Sequence, residues 1–276
     1  MLELPEAQVL AKQMREVFAG KIITQVQALQ TPHGFAFFHG DAKDYEVLLH
    51  GQTIVDANAF GGRPELRLAN GMRLSFGDGV NLRVHAAGAK LPARHQLLLQ
   101  FDDGTALVCT VQMYGFFSLF VDEADTHADG YYRVAVETIS PLSEEFDFDY
   151  FTGLRAQCKE TLTCKAFLAT QQRIPGLGNG VLQDILWQAR LHPKRKLSML
   201  LPEEFAQLFA ATKQVLADMT AQGGRNTEKD LFAQPGGYTT IMSRSAPACP
   251  ACSGVITRKA YLGGNVYYCE VCQKES

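Results

Sequence analysis

The chain has 276 residues, 46% of them hydrophobic and 20% charged. That composition excludes a disordered chain and gives one large domain or two moderate ones with real cores. No run approaches the roughly 18 apolar residues of a membrane span, and the first residues lack the basic start, apolar core and cleavage site of a secretory signal. The expected location is therefore the cytoplasm.

In chain order, Glu6 to Phe18 places Val9, Leu10, Met14, Val17 and Phe18 on one helical face, and Gly20 ends it. From Lys21 to about Val136 the pattern becomes short β-like runs, among them KIITQVQAL, GFAFFHG, YEVLLHG, HQLLLQF and TALVCTVQMYGFFSLFV, separated by turn residues. Such spacing predicts a sandwich or barrel. Composition turns helical near Ser140, with an N-terminal signal at Ser143 and helical periods over 144–157, 159–172, 180–190 and 202–221. Gly-rich turns follow at 174–180 and 222–224, then a short helix from about Thr227 to Phe232 and a flexible loop at Gln234-Pro-Gly-Gly237. The fold class is α+β: an N-terminal helix and β-sandwich over 1–136, a helical domain over 137–238 and a cysteine module over 239–276.

The net charge of −3 conceals an asymmetry, because residues 1–150 carry −9 and residues 151–276 carry +6. A polyanion is expected to bind chiefly through the second half. Cys249, Cys252, Cys269 and Cys272 form two C-x2-C knuckles separated by sixteen residues, a pattern that points to tetrahedral, structural Zn2+. A segment this short has almost no core, so ligation would supply its folding energy. Asn179, after the glycine-rich turn, is read as the cap of a helix whose free N–H groups suit a phosphate. Cys109, Cys158 and Cys164 are expected to be buried thiols and Trp187 core.

Four features in order, Glu3-Leu-Pro-Glu6, Pro175-Gly-Leu-Gly-Asn179, Gln222-Gly-Gly224 and the four-cysteine finger ending Cys272-Gln-Lys, resemble the formamidopyrimidine-DNA glycosylase/endonuclease VIII family of base-excision repair. The resemblance covers most of the chain. It implies a helix–two-turns–helix domain, a zinc β-hairpin and a DNA partner, double-stranded and damaged or abasic, engaged by a monomer with no membrane involved. It also implies phosphate contacts at Asn179 and Lys165; Gly178 and Arg244 complete the candidate DNA-binding set.

The positions that carry the family's chemistry match poorly. The usual nucleophile is the amine of an N-terminal proline, exposed once the initiator methionine is removed, and Leu2 stands there instead. A bulky second residue predicts that Met1 is retained, and one extra residue moves the terminal amine by roughly 3.3–3.6 Å. A catalytic lysine is expected near Gly61 and a finger arginine near Gly264-Asn265, and neither is present. Asp78 and Gln112-Met113-Tyr114-Gly115 fall where the family carries the wedge that fills the gap beside a flipped base. Met1, Leu2, Glu3 and Glu6 are the candidate catalytic residues, Glu3 and Glu6 having the alternative role of acidic first-turn residues. The expectation is a DNA-binding family member with weak or lost catalysis; the alternative is an active glycosylase or lyase using a primary N-terminal amine.

Overall fold

The computed structural model describes residues 2–121 and 130–275. Helix α1 (Leu4–Phe18) starts with Pro5 in its first turn, where a missing N–H costs nothing, and buries Leu4, Ala7, Leu10, Ala11, Met14 and Phe18. Against it folds a β-structure of strands β1 (Ile23–Ala28), β2 (Ala36–Phe38), β3 (Ile54–Phe60), β4 (Arg63–Leu68), β5 (Met72–His85), β6 (Leu97–Phe101) and β7 (Ala106–Val121). The strand order is β1-β6-β7-β5-β4-β3, with β2 added in parallel to β7. An antiparallel bridge between Ile22 and Thr53 brings the two ends of that path together. The sheet thus folds around one core of side chains from every layer, including Phe18, Phe76, Phe101 and Phe117.

Two stretches read as β-like are helices. In YEVLLHG, helix α2 (Ala42–Leu49) is capped by Asp41, whose carboxylate accepts from the Lys43 N–H, and it buries Ala42, Tyr45 and Leu49 at helical spacing. Its branched and apolar content suggested a strand, yet Val47 is 79% exposed. The i, i+3, i+4 burial was the better signal. Helix α3 (Gly130–Glu137) occupies the end of the stretch expected to be β up to Val136, and its Tyr132 donates to the buried carboxylate of Glu65 at 2.6 Å.

The helical part contains α4 (Phe148–Ala156), α5 (Cys164–Ala169), α6 (Asn179–Gln188) and α7 (Pro202–Ala221) around a second core rich in Phe and Leu. Capping places the starts of α4 and α5 later than periodicity suggested. Asp147, not Ser143, accepts the Tyr150 N–H and begins α4, and Thr163 caps α5. The short helix expected over 227–232 is a turn instead. The Asp230 side chain accepts the N–H groups of Phe232 and Gln234, offering the backbone a local alternative to helix. Leu231 from this turn is buried in the sandwich core.

Nor is the loop at 234–237 free. Gly237 donates to the Gln222 carbonyl and Tyr238 to that of Gly224, at 2.8 and 3.0 Å. Strands β8 (Ile256–Tyr261) and β9 (Gly264–Cys269) form a C-terminal hairpin with a third, small core. Cys109 and Cys164 are buried and Cys158 is half-buried, all as free thiols. Among the described residues no helix is long and apolar enough to cross a membrane.

Candidate functional site

A cavity of about 1060 Å3 opens between the sandwich and the helical part. Leu2, Glu3, Arg63 and Asp78 line it from one side, and Gly176 to Gly180 with Arg225 from the other. Residues 2 and 3 of the chain form part of its wall. Leu2 donates its N–H to the Asp78 carbonyl at 3.1 Å, and Leu4 donates to that of Gly176 at 2.8 Å. Met1 lies outside the described residues.

Glu3 does something the sequence did not disclose. Its buried carboxylate accepts the backbone N–H groups of Gly178 at 3.1 Å, Gly180 at 2.7 Å and Val181 at 2.9 Å. The anion expected at the start of α6 is therefore supplied by the protein itself, from residue 3. The capping position belongs to Gly178, with Asn179 the first residue of the helix. Glycine is required there because a Cβ on Gly178 would stand 2.8 Å from the Glu3 carboxyl carbon. The Gly178 N–H is thus spent inside the protein.

Glu6 completes a buried network. It accepts from the Glu3 N–H at 3.3 Å and from Arg225 through the backbone N–H, Nε and Nη2 at 3.0, 2.9 and 2.7 Å. Arg225 also reaches Glu3 at 3.4 Å. Burial alone pulls the Arg225 pKa down; Glu3 and Glu6 outweigh it, raise the pKa and hold the guanidinium cationic. A Cβ on Gly180 would lie 1.4 Å from Arg225 Nη1, so the turn's third glycine exists to admit this side chain. Sequence reasoning passed over Arg225 because its partners are 219 and 222 residues away. Its place directly after the Gly223-Gly224 pair was a sequence hint.

No lysine lines the cavity among the described residues. Where one was expected, Gly61 (φ +54°) and Gly62 pack on Pro175 and Gly176. A Cβ on Gly61 would approach the Pro175 carbonyl carbon to 2.9 Å, and one on Gly62 the Leu2 carbonyl oxygen to 3.0 Å. This backbone-on-backbone contact leaves no space for a longer side chain. Arg63, the neighbouring cation, lies with its guanidinium over the Phe116 ring, 6.0 Å from the centroid.

Lys165 and Asn179 are brought together at the hairpin turn but are presented differently. Asn179 is exposed beside Gly264, where a Cβ would stand 2.5 Å from its Nδ2. Lys165 is buried and donates to the Tyr261 carbonyl at 2.5 Å, and burial lowers its pKa. The Thr163 and Tyr261 hydroxyls pair at 3.0 Å, and Gln183 donates to the Asn265 carbonyl and accepts the Tyr267 N–H at 3.0 Å each. The α5–α6 region thus docks the finger. Arg244 stands exposed in the approach to it. No arginine occurs at the turn itself, which is Leu262 and Gly263, or at Gly264 and Asn265 that follow it.

The four sulfurs of Cys249, Cys252, Cys269 and Cys272 lie within 4.8 Å of one another, with Cys249–Cys272 at 3.8 Å and Cys252–Cys269 at 3.4 Å. Bonds of about 2.3 Å to one tetrahedral ion require sulfurs about 3.8 Å apart, so the donor set fits a metal with all four positions filled by protein. Trp187, half-buried, donates its indole N–H to Cys249 Sγ at 3.4 Å.

This arrangement defines a class: a β-sandwich joined to a helix–two-turns–helix unit and a four-cysteine hairpin. The family model for the formamidopyrimidine-DNA glycosylase H2TH domain matches residues 138–230. Formamidopyrimidine-DNA glycosylase of Lactobacillus delbrueckii subsp. bulgaricus is 25% identical over 99% of this chain and 100% of its own length. The Thermus thermophilus enzyme of the same name is 34% identical over 49% of this chain and 52% of its own. The crystal structure of MutM (Fpg) from Thermus thermophilus superposes with a TM-score of 0.81 at 24% identity, covering 99% of each chain. That of Lactococcus lactis Fpg in complex with abasic-site DNA gives 0.83 at 21%, again over 99% of each. Over residues 138–230 the chain carries the H2TH domain of formamidopyrimidine-DNA glycosylases, and along nearly its whole length it is similar to proteins of that name.

Proposed function

We propose that this protein binds DNA, damaged or abasic duplex above all, within base-excision repair, with its family's amine chemistry weakened or lost. The observation that carries the second part is the glycine contact at Gly61–Gly62, which occupies the expected lysine position with backbone, beside a Leu2 where a proline would be. Displacements of about 1 Å already cost such chemistry on the order of a hundredfold. DNA binding is supported by the family, by the +6 charge of the second half and by the open cavity between sandwich and helices. We assign the four cysteines to structural Zn2+. Their all-thiolate set suits it, and with no open coordination position the ion would take no part in bond making.

Asn179 offers its side chain to a phosphate, while Lys165 acts by holding the hairpin turn beside it. Asn179→Ala and Lys165→Ala are each expected to weaken binding severalfold on every sequence, read by titration against duplexes of different sequence. Unchanged affinity in both variants would count against this surface.

A second reading is favoured by one observation: Leu2 lines the cavity, so the amine of Met1 is one residue from it. A primary amine there could add to the C1′ aldehyde of an abasic site, losing water to give an imine that borohydride hydride reduces to a stable secondary amine. Trapping with borohydride on abasic duplex is expected to give no adduct. A covalent product mapped to residue 1 would establish the second reading and end the first.

A further inference from the structure

Trp187 has a feature that a core residue does not need. It sits near the end of α6, half-buried against the small core of Met242, Cys249 and Cys269, and its indole N–H donates to Cys249 Sγ at 3.4 Å. An indole nitrogen can only donate, so the sulfur is the acceptor. Gln183 and Gln273 also join the hairpin to the helical part, but through backbone groups. Gln183 holds the Asn265 carbonyl and the Tyr267 N–H, and Gln273 the Leu191 carbonyl and the Cys269 N–H. Trp187 instead reaches a sulfur of the four-cysteine set. The Arg190 guanidinium lies over the same indole, 5.5 Å from its centroid, so a cation stands behind the donor.

Resting on the assignment of the four cysteines to Zn2+, we propose that Trp187 is a positioning residue of the metal centre, its N–H holding the Cys249 thiolate and tying retention of the ion to α6. Four thiolates around one divalent ion leave negative charge in excess, and N–H donors disperse it. One such donor comes from inside the module, where Gly254 donates to Cys252 Sγ at 3.4 Å. The Trp187 donor comes from outside it, on a helix whose other end is anchored by the Glu3 carboxylate at Gly178, Gly180 and Val181. Partners that orient a ligand in this way are worth about 10–100-fold in metal affinity. A tryptophan serving only as core would lose nothing with its N–H, provided that its shape were kept.

The test makes use of Trp187 being the single tryptophan. In the full-length protein it is replaced by benzothienylalanine, which keeps the bicyclic shape and has a sulfur where the N–H was. Zinc content and zinc affinity by chelator competition are measured on both proteins, and each is then loaded with Co2+ to read its sulfur-to-metal charge-transfer band. The analogue protein is expected to bind zinc about tenfold more weakly. Its cobalt band should move to longer wavelength, because a thiolate relieved of a hydrogen bond gives up electron density more easily. Trp187→Phe should lose a similar amount of affinity, so the comparison does not depend on the analogue alone. Wild-type affinity in either altered protein, or an unshifted cobalt band, would overturn the role of Trp187 and leave the zinc assignment standing. Wild-type protein that holds no zinc would overturn the assignment and this proposal with it.

Discussion

Replacing Glu3 with alanine is expected to destabilise this protein by about 3–5 kcal/mol, the usual result of removing one partner from a buried charged network. The carboxylate accepts three backbone N–H groups at the start of α6, and those donors lose their acceptor once it is gone. Each buried donor left unpaired costs about 1–3 kcal/mol, less whatever water recovers in the enlarged cavity. Arg225 would keep Glu6 but lose its second anion. Glu3→Gln retains one carbonyl oxygen and should fall between alanine and wild type. Urea unfolding followed through Trp187, the single tryptophan and a residue of α6 itself, reads the effect directly. A purely catalytic Glu3 predicts the opposite: full stability with altered chemistry. Wild-type stability in Glu3→Ala would show that the carboxylate contributes nothing to holding α6. DNA affinity should fall together with stability, because Glu3 and Glu6 tie the sandwich's first helix to the helical wall of the cavity.

What could be read in advance follows from how far each signal reaches along the chain. Helices α1 and α7, with their apolar periods, and the two cysteine knuckles declare themselves within a few residues. Helix α2 was obscured because its Val47 and Leu48 face solvent, so that hydrophobicity alone imitated a strand. The helix starts at Asp147 and Thr163 depend on which polar residue captures a free N–H, and several candidates stood in the sequence. The site was least legible of all. That Glu3 would fill the anion position of a helix beginning at residue 179, or that Gly61 would close on Pro175, is set by tertiary packing. The glycines were visible as turns; their purpose, to admit a carboxylate, a guanidinium and another loop, was not.

Removing the proposed zinc should have the second large effect, and a local one. The hairpin's core consists of Met242, Cys249 and Cys269, two of which are proposed ligands, with half-buried neighbours such as Trp187 and Ile256 around them. So few apolar groups cannot offset the ordering of some thirty residues, whereas structural zinc sites contribute on the order of 10–16 kcal/mol. Chelation, or Cys252→Ala, is therefore expected to melt β8 and β9 while the sandwich and the helical core stay folded, giving lost hairpin dispersion in NMR spectra and a change in Trp187 emission through its bond to Cys249. The loss should propagate to binding. With the hairpin turn gone, the Lys165 ammonium loses the Tyr261 carbonyl and Asn179 loses the Gly264 backbone beside it. DNA affinity should then fall by roughly tenfold or more, with a shallower salt slope as phosphate contacts disappear. Metal-free protein that keeps both a structured hairpin and full affinity would mean that Gln183, Gln273 and Tyr268 dock the finger without an ion, and the four cysteines would need another explanation.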